Sequence, residues 1–118
     1  MASLNMRGPF ALSIDSINKH VKEVSCGNYA LGYIDNRRAF VVLYVGRSDT
    51  DVADRLKQHV GMLYKYFKYS YASSPKDAFE IECNNFHSFG EVRLLDNSIH
   101  PRRPDNCDWK CPICDAIG

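Results

Sequence analysis

The run AFVVLYVG, residues 39–46, constrains the fold more than any other stretch. From Ala39 to Val45 every side chain is apolar or aromatic, and three of the seven are β-branched valines. A glycine then stops the run. It is far shorter than the roughly 18 residues a membrane span needs. It is also too continuous for a strand with one wet face, so it predicts a central strand buried on both sides. Just upstream, NYALGYI (28–34) is a second aromatic and aliphatic run, separated from the first by the polar DNRR. Two such runs around a polar turn predict a β-hairpin.

The remaining elements follow from spacing and punctuation. In IDSINKHVKEV (14–24), Ile14, Ile17, Val21 and Val24 recur at helical intervals, and Cys26-Gly27 closes that helix. After Gly46, Ser48, Asp49 and Thr50 are candidate N-caps for a helix over 51–60. KYFKYSYA (65–72) alternates like a third strand. SSPKD opens another helix, with proline in its first turn, and that helix runs to about Phe89, where Gly90 stops it. EVRLL then reads as a short strand or turn, followed by an irregular tail rich in Pro, Asp and Asn. The expectation is an α+β (mixed α/β) fold with a three-stranded antiparallel sheet flanked by helices. A length of 118 residues suits one core, and no stretch is long enough to be a linker between two.

Composition excludes more than it selects. Hydrophobic residues at 45% and charged residues at 25% indicate neither a disordered nor a membrane chain. The N-terminus lacks the basic segment and apolar core of a signal peptide, so the expected location is the cytoplasm. A net charge of +1 does not announce a nucleic-acid binder, although basic residues gather at Arg37-Arg38, Lys65 to Lys68 and Arg102-Arg103.

Two helices carry polar residues where apolar ones are expected. On a wheel started at Ala78, Phe89 falls at roughly 20°, Glu82 at 40°, Phe86 at 80° and Phe79 at 100°. Glu82 thus lies inside the apolar arc, where an ionised carboxylate is costly unless it is paired or binds a metal. Both answers are open: an ion pair with a nearby arginine, or a carboxylate facing a cleft. On the preceding helix, Arg55 and His59 share one edge of the apolar face made by Val52, Ala53, Leu56 and Val60. That edge suits a cleft-facing pair, and it also suits a snorkelling arginine.

Five cysteines in a chain with no export signal argue against a disulfide framework. Three of them fall in CDWKCPIC (107–114), and the CPIC knuckle offers two thiolates, Cys111 and Cys114, to one metal. A structural zinc needs four ligands. Cys83 and His87, one turn apart on a helix, are expected to complete the set, with His100 and Cys107 as alternatives. Cys83 as a buried small apolar residue is the competing expectation. Cys26 reads as a helix-end residue, His20 as surface, and Trp109 as packing the tail onto the body.

The order of these features resembles the GIY-YIG nuclease superfamily. Gly27-Asn28-Tyr29 stands on the first strand, Tyr44-Val45-Gly46 ends the second, and Arg55 with His59 follows on a helix. Ala78 precedes Glu82 by one turn in AFEIE, and Asn97 in LLDNSIHP lies downstream. The first triplet is GNY, and the loop between strands is somewhat long. The resemblance covers residues 27–97, leaving 1–26 as an N-terminal helical extension and 98–118 as a zinc-binding tail of a single domain.

The resemblance implies a divalent-metal-dependent endonuclease acting on DNA. By position, Glu82 would be the sole protein carboxylate on one Mg²⁺ or Mn²⁺ ion, a load hard cations accept with waters and phosphate oxygens. Arg55 would grip the phosphate, and Tyr29 would stand near the attacking water. Tyr44 would orient water or phosphate, His59 would serve proton transfer, Asn97 would stabilise the site, and Gly46 would let the strand turn and the helix approach. The alternative is a nucleic-acid-binding or protein-interaction module that keeps the fold without cutting.

Overall fold

The computed structural model describes residues 4–97, 100–103 and 107–114. Among these residues eight elements follow one another: β1 (Arg7–Ala11), α1 (Ile14–His20), β2 (Gly27–Ile34), β3 (Phe40–Ser48), α2 (Val52–Lys57), β4 (Tyr66–Tyr71), α3 (Pro75–Ser88) and α4 (Glu91–Leu94). The fold is α+β, and its sheet has four strands rather than three, all antiparallel, in the order β1-β4-β2-β3. Among the described residues, no helix is long and apolar enough to cross a membrane.

The extra strand is β1, within the segment expected to be purely helical. Its sequence RGPFA hides it: proline donates no hydrogen bond and is tolerated on an edge strand, which is where β1 lies. The hairpin of β2 and β3 forms as expected, but β3 is not the central strand. β2 lies between β4 and β3 and is buried along most of its length, whereas the apolar β3 is an edge strand. Its apolar residues meet helices on both faces, which gives the same sequence pattern as a central position. Its free edge is closed instead by chain from beyond α4. Leu43 is the extra residue of a bulge between the pairs Leu31–Tyr44 and Gly32–Val42, and its carbonyl accepts from the Asp96 N–H at 2.6 Å.

Helices cover both faces of the sheet. On one, Ile17 of α1 and Val52 and Leu56 of α2 pack on Tyr29, Leu31, Phe67 and Tyr69. On the other, Phe86 of α3 packs with Leu95 on Ala30 and Val45. Each fully buried side chain of that size contributes about 1.5–3 kcal/mol. α1 is shorter than expected: it ends at His20, Val21 still enters the core, and Val24 is 83% exposed. α2 is capped by Asp51, whose carboxylate accepts from the Ala53 and Asp54 N–H groups; Ser48 instead bonds the loop amides of Thr50 and Asp51. Ser74 caps α3 ahead of Pro75. EVRL forms one helical turn, entered from Gly90 at φ 103°.

Candidate functional site

β2, β3, the loop into α2 and the middle of α3 meet around a cleft of about 410 Å³. Its walls include Tyr29, Tyr44, Gly46, Arg47, Arg55 and Glu82. Tyr29 and Tyr44 belong to the α2 face of the sheet, whereas Glu82 comes from α3 on the opposite face. Gly46 lets the two sets share one opening. It pairs across the strands with Tyr29, and a Cβ there would lie 2.4 Å from Tyr29 Cζ and 2.5 Å from its oxygen. The reason for glycine is therefore room for the phenol over β3, not the tight turn or helix approach expected from sequence.

The Tyr29 oxygen lies 3.0 Å from His59 Nε2. The two tyrosine rings stack with centroids 6.4 Å apart, and the His59 ring lies 5.4 Å from the one and 5.5 Å from the other. Burial, helped by Tyr44, pushes the Tyr29 phenol well above its ordinary value, with Arg55 pulling it down. Burial and then Glu82 push Tyr44 up. Burial and then the Arg55 charge push His59 below 6.5. The proton therefore sits on the tyrosine, which donates to a neutral imidazole. His59 reaches this position from just beyond α2, where the helix tightens and the His59 N–H bonds the Leu56 carbonyl at 3.0 Å. Arg55 is exposed at the cleft rim.

Glu82 is 8% exposed, and the arginine left unnamed by the sequence is Arg47, the first residue after Gly46. Arg47 Nη1 donates to Glu82 Oε1 at 2.6 Å, Nε donates to Asp49 Oδ1 at 2.9 Å, and Nη2 donates to the Arg102 carbonyl. Its guanidinium also lies 5.2 Å from the Phe79 ring centroid. Burial pushes the Glu82 carboxyl above its ordinary value, and Arg47, the nearest positive charge, offsets only part of that rise. Arg47 loses by burial but gains more from Glu82 and Asp49, so its value is raised and it stays charged. The ion pair is thus the resting state of Glu82. One carboxylate at an open cleft is also a donor set that suits a hard divalent cation completed by water and phosphate oxygens.

Two asparagines frame the cleft without lining it. Asn97 clasps one residue of the edge strand: its Oδ1 accepts from the Val45 N–H at 3.0 Å, and its Nδ2 donates to the Val45 carbonyl at 2.8 Å. Asn28, the middle of the GNY triplet, is fully buried and donates to the Ala78 carbonyl at 2.8 Å. It ties β2 to the turn of α3 that carries Glu82.

A second group of polar side chains lies between α3 and the tail. His87, His100, Cys111 and Cys114 offer ligand atoms all within 4.8 Å of one another, a set that could hold a metal ion. His87 Nε2 and His100 Nε2 are 3.2 Å apart, and Cys114 Sγ is 3.5 Å from His100 Nε2. Ligand atoms around a tetrahedral zinc lie roughly 3.3–3.8 Å apart, given the usual bond lengths. The outer nitrogens are engaged as metal-bound imidazoles require. His87 Nδ1 meets Glu91 Oε2 at 2.5 Å, and His100 Nδ1 meets the Pro101 carbonyl at 2.8 Å. Burial raises the Cys111 thiol, but the amides of Cys114 and Ile113, with His100 and Cys114, outweigh it and hold the group at about 6.

Cys83 is not part of this group. It is fully buried with Phe79 and Cys111 beneath Trp109, and burial first, then Cys111, pushes its thiol well up. Cys107 also lies outside, its carbonyl taken by Arg103 Nε. The helical pair 83/87 suggested Cys83; no spacing rule singles out His100, which reaches the group only through the path of the tail.

The chain matches no protein-family model, no curated protein and no solved structure.

Proposed function

We propose that this protein is a divalent-metal-dependent endonuclease that hydrolyses phosphodiester bonds in DNA, in the manner of the GIY-YIG nucleases it resembles. The observation that carries the reading is the convergence on one cleft of Tyr29, Tyr44, Arg55 and Glu82, with His59 bonded to Tyr29 behind it. The four lining residues come from four different elements spread over more than fifty positions. Glu82 would hold Mg²⁺ or Mn²⁺, which would supply Lewis-acid stabilisation of the charge that develops on the phosphate. Arg55, at the rim, grips a phosphate oxygen pair with its planar fork. As water attacks phosphorus, its proton passes to the Tyr29 oxygen while the Tyr29 proton moves to His59 Nε2, and the P–O bond to the leaving oxygen breaks, that oxygen taking a proton from solvent. Neutral His59 suits that acceptor role. Tyr44 orients the water or the phosphate. A zinc ion on His87, His100, Cys111 and Cys114 would be structural, its four protein ligands leaving no open position.

The test is a nicking and cleavage assay on DNA with Mg²⁺ or Mn²⁺. Wild type should cut and Glu82→Ala should not, at unchanged circular dichroism; equal cleavage by the variant would sink the mechanism. A second reading, a non-catalytic nucleic-acid-binding or interaction module, is favoured by the 2.6 Å Arg47–Glu82 pair, which gives Glu82 a structural role. It requires DNA binding that survives Arg55→Ala and no cleavage by wild type with any divalent ion.

A further inference from the structure

We propose that Arg47 is an exchangeable counter-charge. It neutralises Glu82 in the resting cleft and gives up that carboxylate for a backbone phosphate of the polynucleotide, so that phosphate and divalent cation bind cooperatively. The inference rests on the metal role of Glu82 proposed above. Three observations carry it. First, Glu82 is already bonded to a guanidinium at 2.6 Å, so a divalent cation arriving alone meets like charge at its only proposed protein ligand. Second, among the described residues the cleft walls hold three arginines, Arg47, Arg55 and Arg102, against two carboxylates, Asp49 and Glu82. That excess of positive charge disfavours a lone divalent cation and favours a phosphodiester. Third, Arg47 lines the same cleft and carries five N–H donors in a planar fork. Turning from one carboxylate to two phosphate oxygens is a side-chain movement, and its bonds to Asp49 and the Arg102 carbonyl can hold it near the cleft meanwhile. Once a phosphate takes the guanidinium, the Glu82 carboxylate is left for the metal. Because coupling between two ligands is reciprocal, each must strengthen the other by the same factor.

Arg47 acts on the metal through Glu82, so the test reads metal binding rather than turnover. Free Mn²⁺ is followed by electron paramagnetic resonance on zinc-loaded protein, with and without a cleavage-resistant phosphorothioate DNA oligonucleotide. Wild type should bind Mn²⁺ weakly alone and at least tenfold more tightly with the oligonucleotide. Arg47→Gln should bind Mn²⁺ at least tenfold more tightly than wild type without DNA, and the oligonucleotide should add little. Glu82→Gln should show neither effect, which separates this site from Mn²⁺ bound by DNA. Folded Arg47→Gln with wild-type or weaker Mn²⁺ affinity overturns the proposal. If that variant fails to give a cooperative melt, Arg47→Lys decides: a compact ammonium cannot keep all three bonds, so a gain of a few-fold supports the exchange and no gain overturns it. Absence of DNA cleavage by wild type, with the Mn²⁺ coupling present, would defeat the nuclease reading and leave this one standing.

Discussion

Gly46 fixes the shape of the cleft because its missing side chain is where the Tyr29 ring lies. Gly46→Ala should push the phenol aside and cost about 1–3 kcal/mol as an overpacked site. A misplacement of about 1 Å at a reacting centre costs on the order of 100-fold in rate. Cleavage kinetics beside a thermal melt will separate the two losses; a variant that cuts normally would show that Tyr29 need not lie there. His59 sets a different expectation. It is held below 6.5 in the fold, first by burial and then by Arg55. The unfolded chain therefore takes up this proton first, and stability is lost as pH falls from 6.5 through the lowered value. The acid limb of the cleavage rate should likewise fall below 6.5 and vanish in His59→Ala, along with roughly 10²–10⁴ in rate. Glu82 announced itself in the sequence, because a carboxylate between phenylalanines on a helical wheel needs an explanation. Its partner did not. Arg47 lies near the end of β3, 35 residues away in sequence, and no periodicity links the two.

Elements were legible where one pattern admitted one structure. The hairpin and α3 follow from two apolar runs around a polar turn and from a helix start at SSPKD with proline in the first turn. What failed was position within the sheet. An apolar strand covered on both faces reads the same whether a third strand or a side chain closes its edge, and at β3 the closure is the amide of Asn97 on Val45. Likewise β1 was lost to its own Gly-Pro, and the end of α1 to a valine at the right spacing that points into solvent. Asn97→Ala leaves the buried Val45 N–H and carbonyl without the amide, which should cost about 1–3 kcal/mol. Asn97→Asp keeps an acceptor for the N–H but opposes a carboxylate to the carbonyl, so it should be no better. Urea unfolding will show this as a lowered midpoint at unchanged slope. Asn28→Ala should cost a similar amount, about 1–3 kcal/mol, by releasing the turn of α3 that carries Glu82.

The tail connects the two sites. His100 belongs to the metal-binding group, and two residues on, the Arg102 carbonyl takes a donor from Arg47. Loading that group therefore fixes the backbone that steadies Arg47, while Trp109 packs against Phe79 one turn before Glu82. The CPIC knuckle was legible; its partners were not, because ligand choice depends on how an irregular tail returns to α3. Zinc held at 100 times its Kd stabilises the fold by about 2.7 kcal/mol, roughly 10 °C in a domain of this size. Chelation should lower the melting temperature by that order, and Cys111→Ser should do the same without chelator. The pH dependence has a definite sign. The Cys111 thiol, ordinarily near 9, is held at about 6 in the fold, so its stabilising thiolate is complete at alkaline pH and lost as pH falls through 6. Zinc adds to that demand, since every ligand must be deprotonated to bind it. Zinc measured by elemental analysis after dialysis should stay near one per chain at pH 7–8 and leave below about pH 6, under the four-ligand rule for a structural site. A chain that melts at the same temperature with and without chelator across that range has no structural metal here, and the tail must then be held by packing of Trp109 and Cys111 and by the Arg47–Arg102 bond.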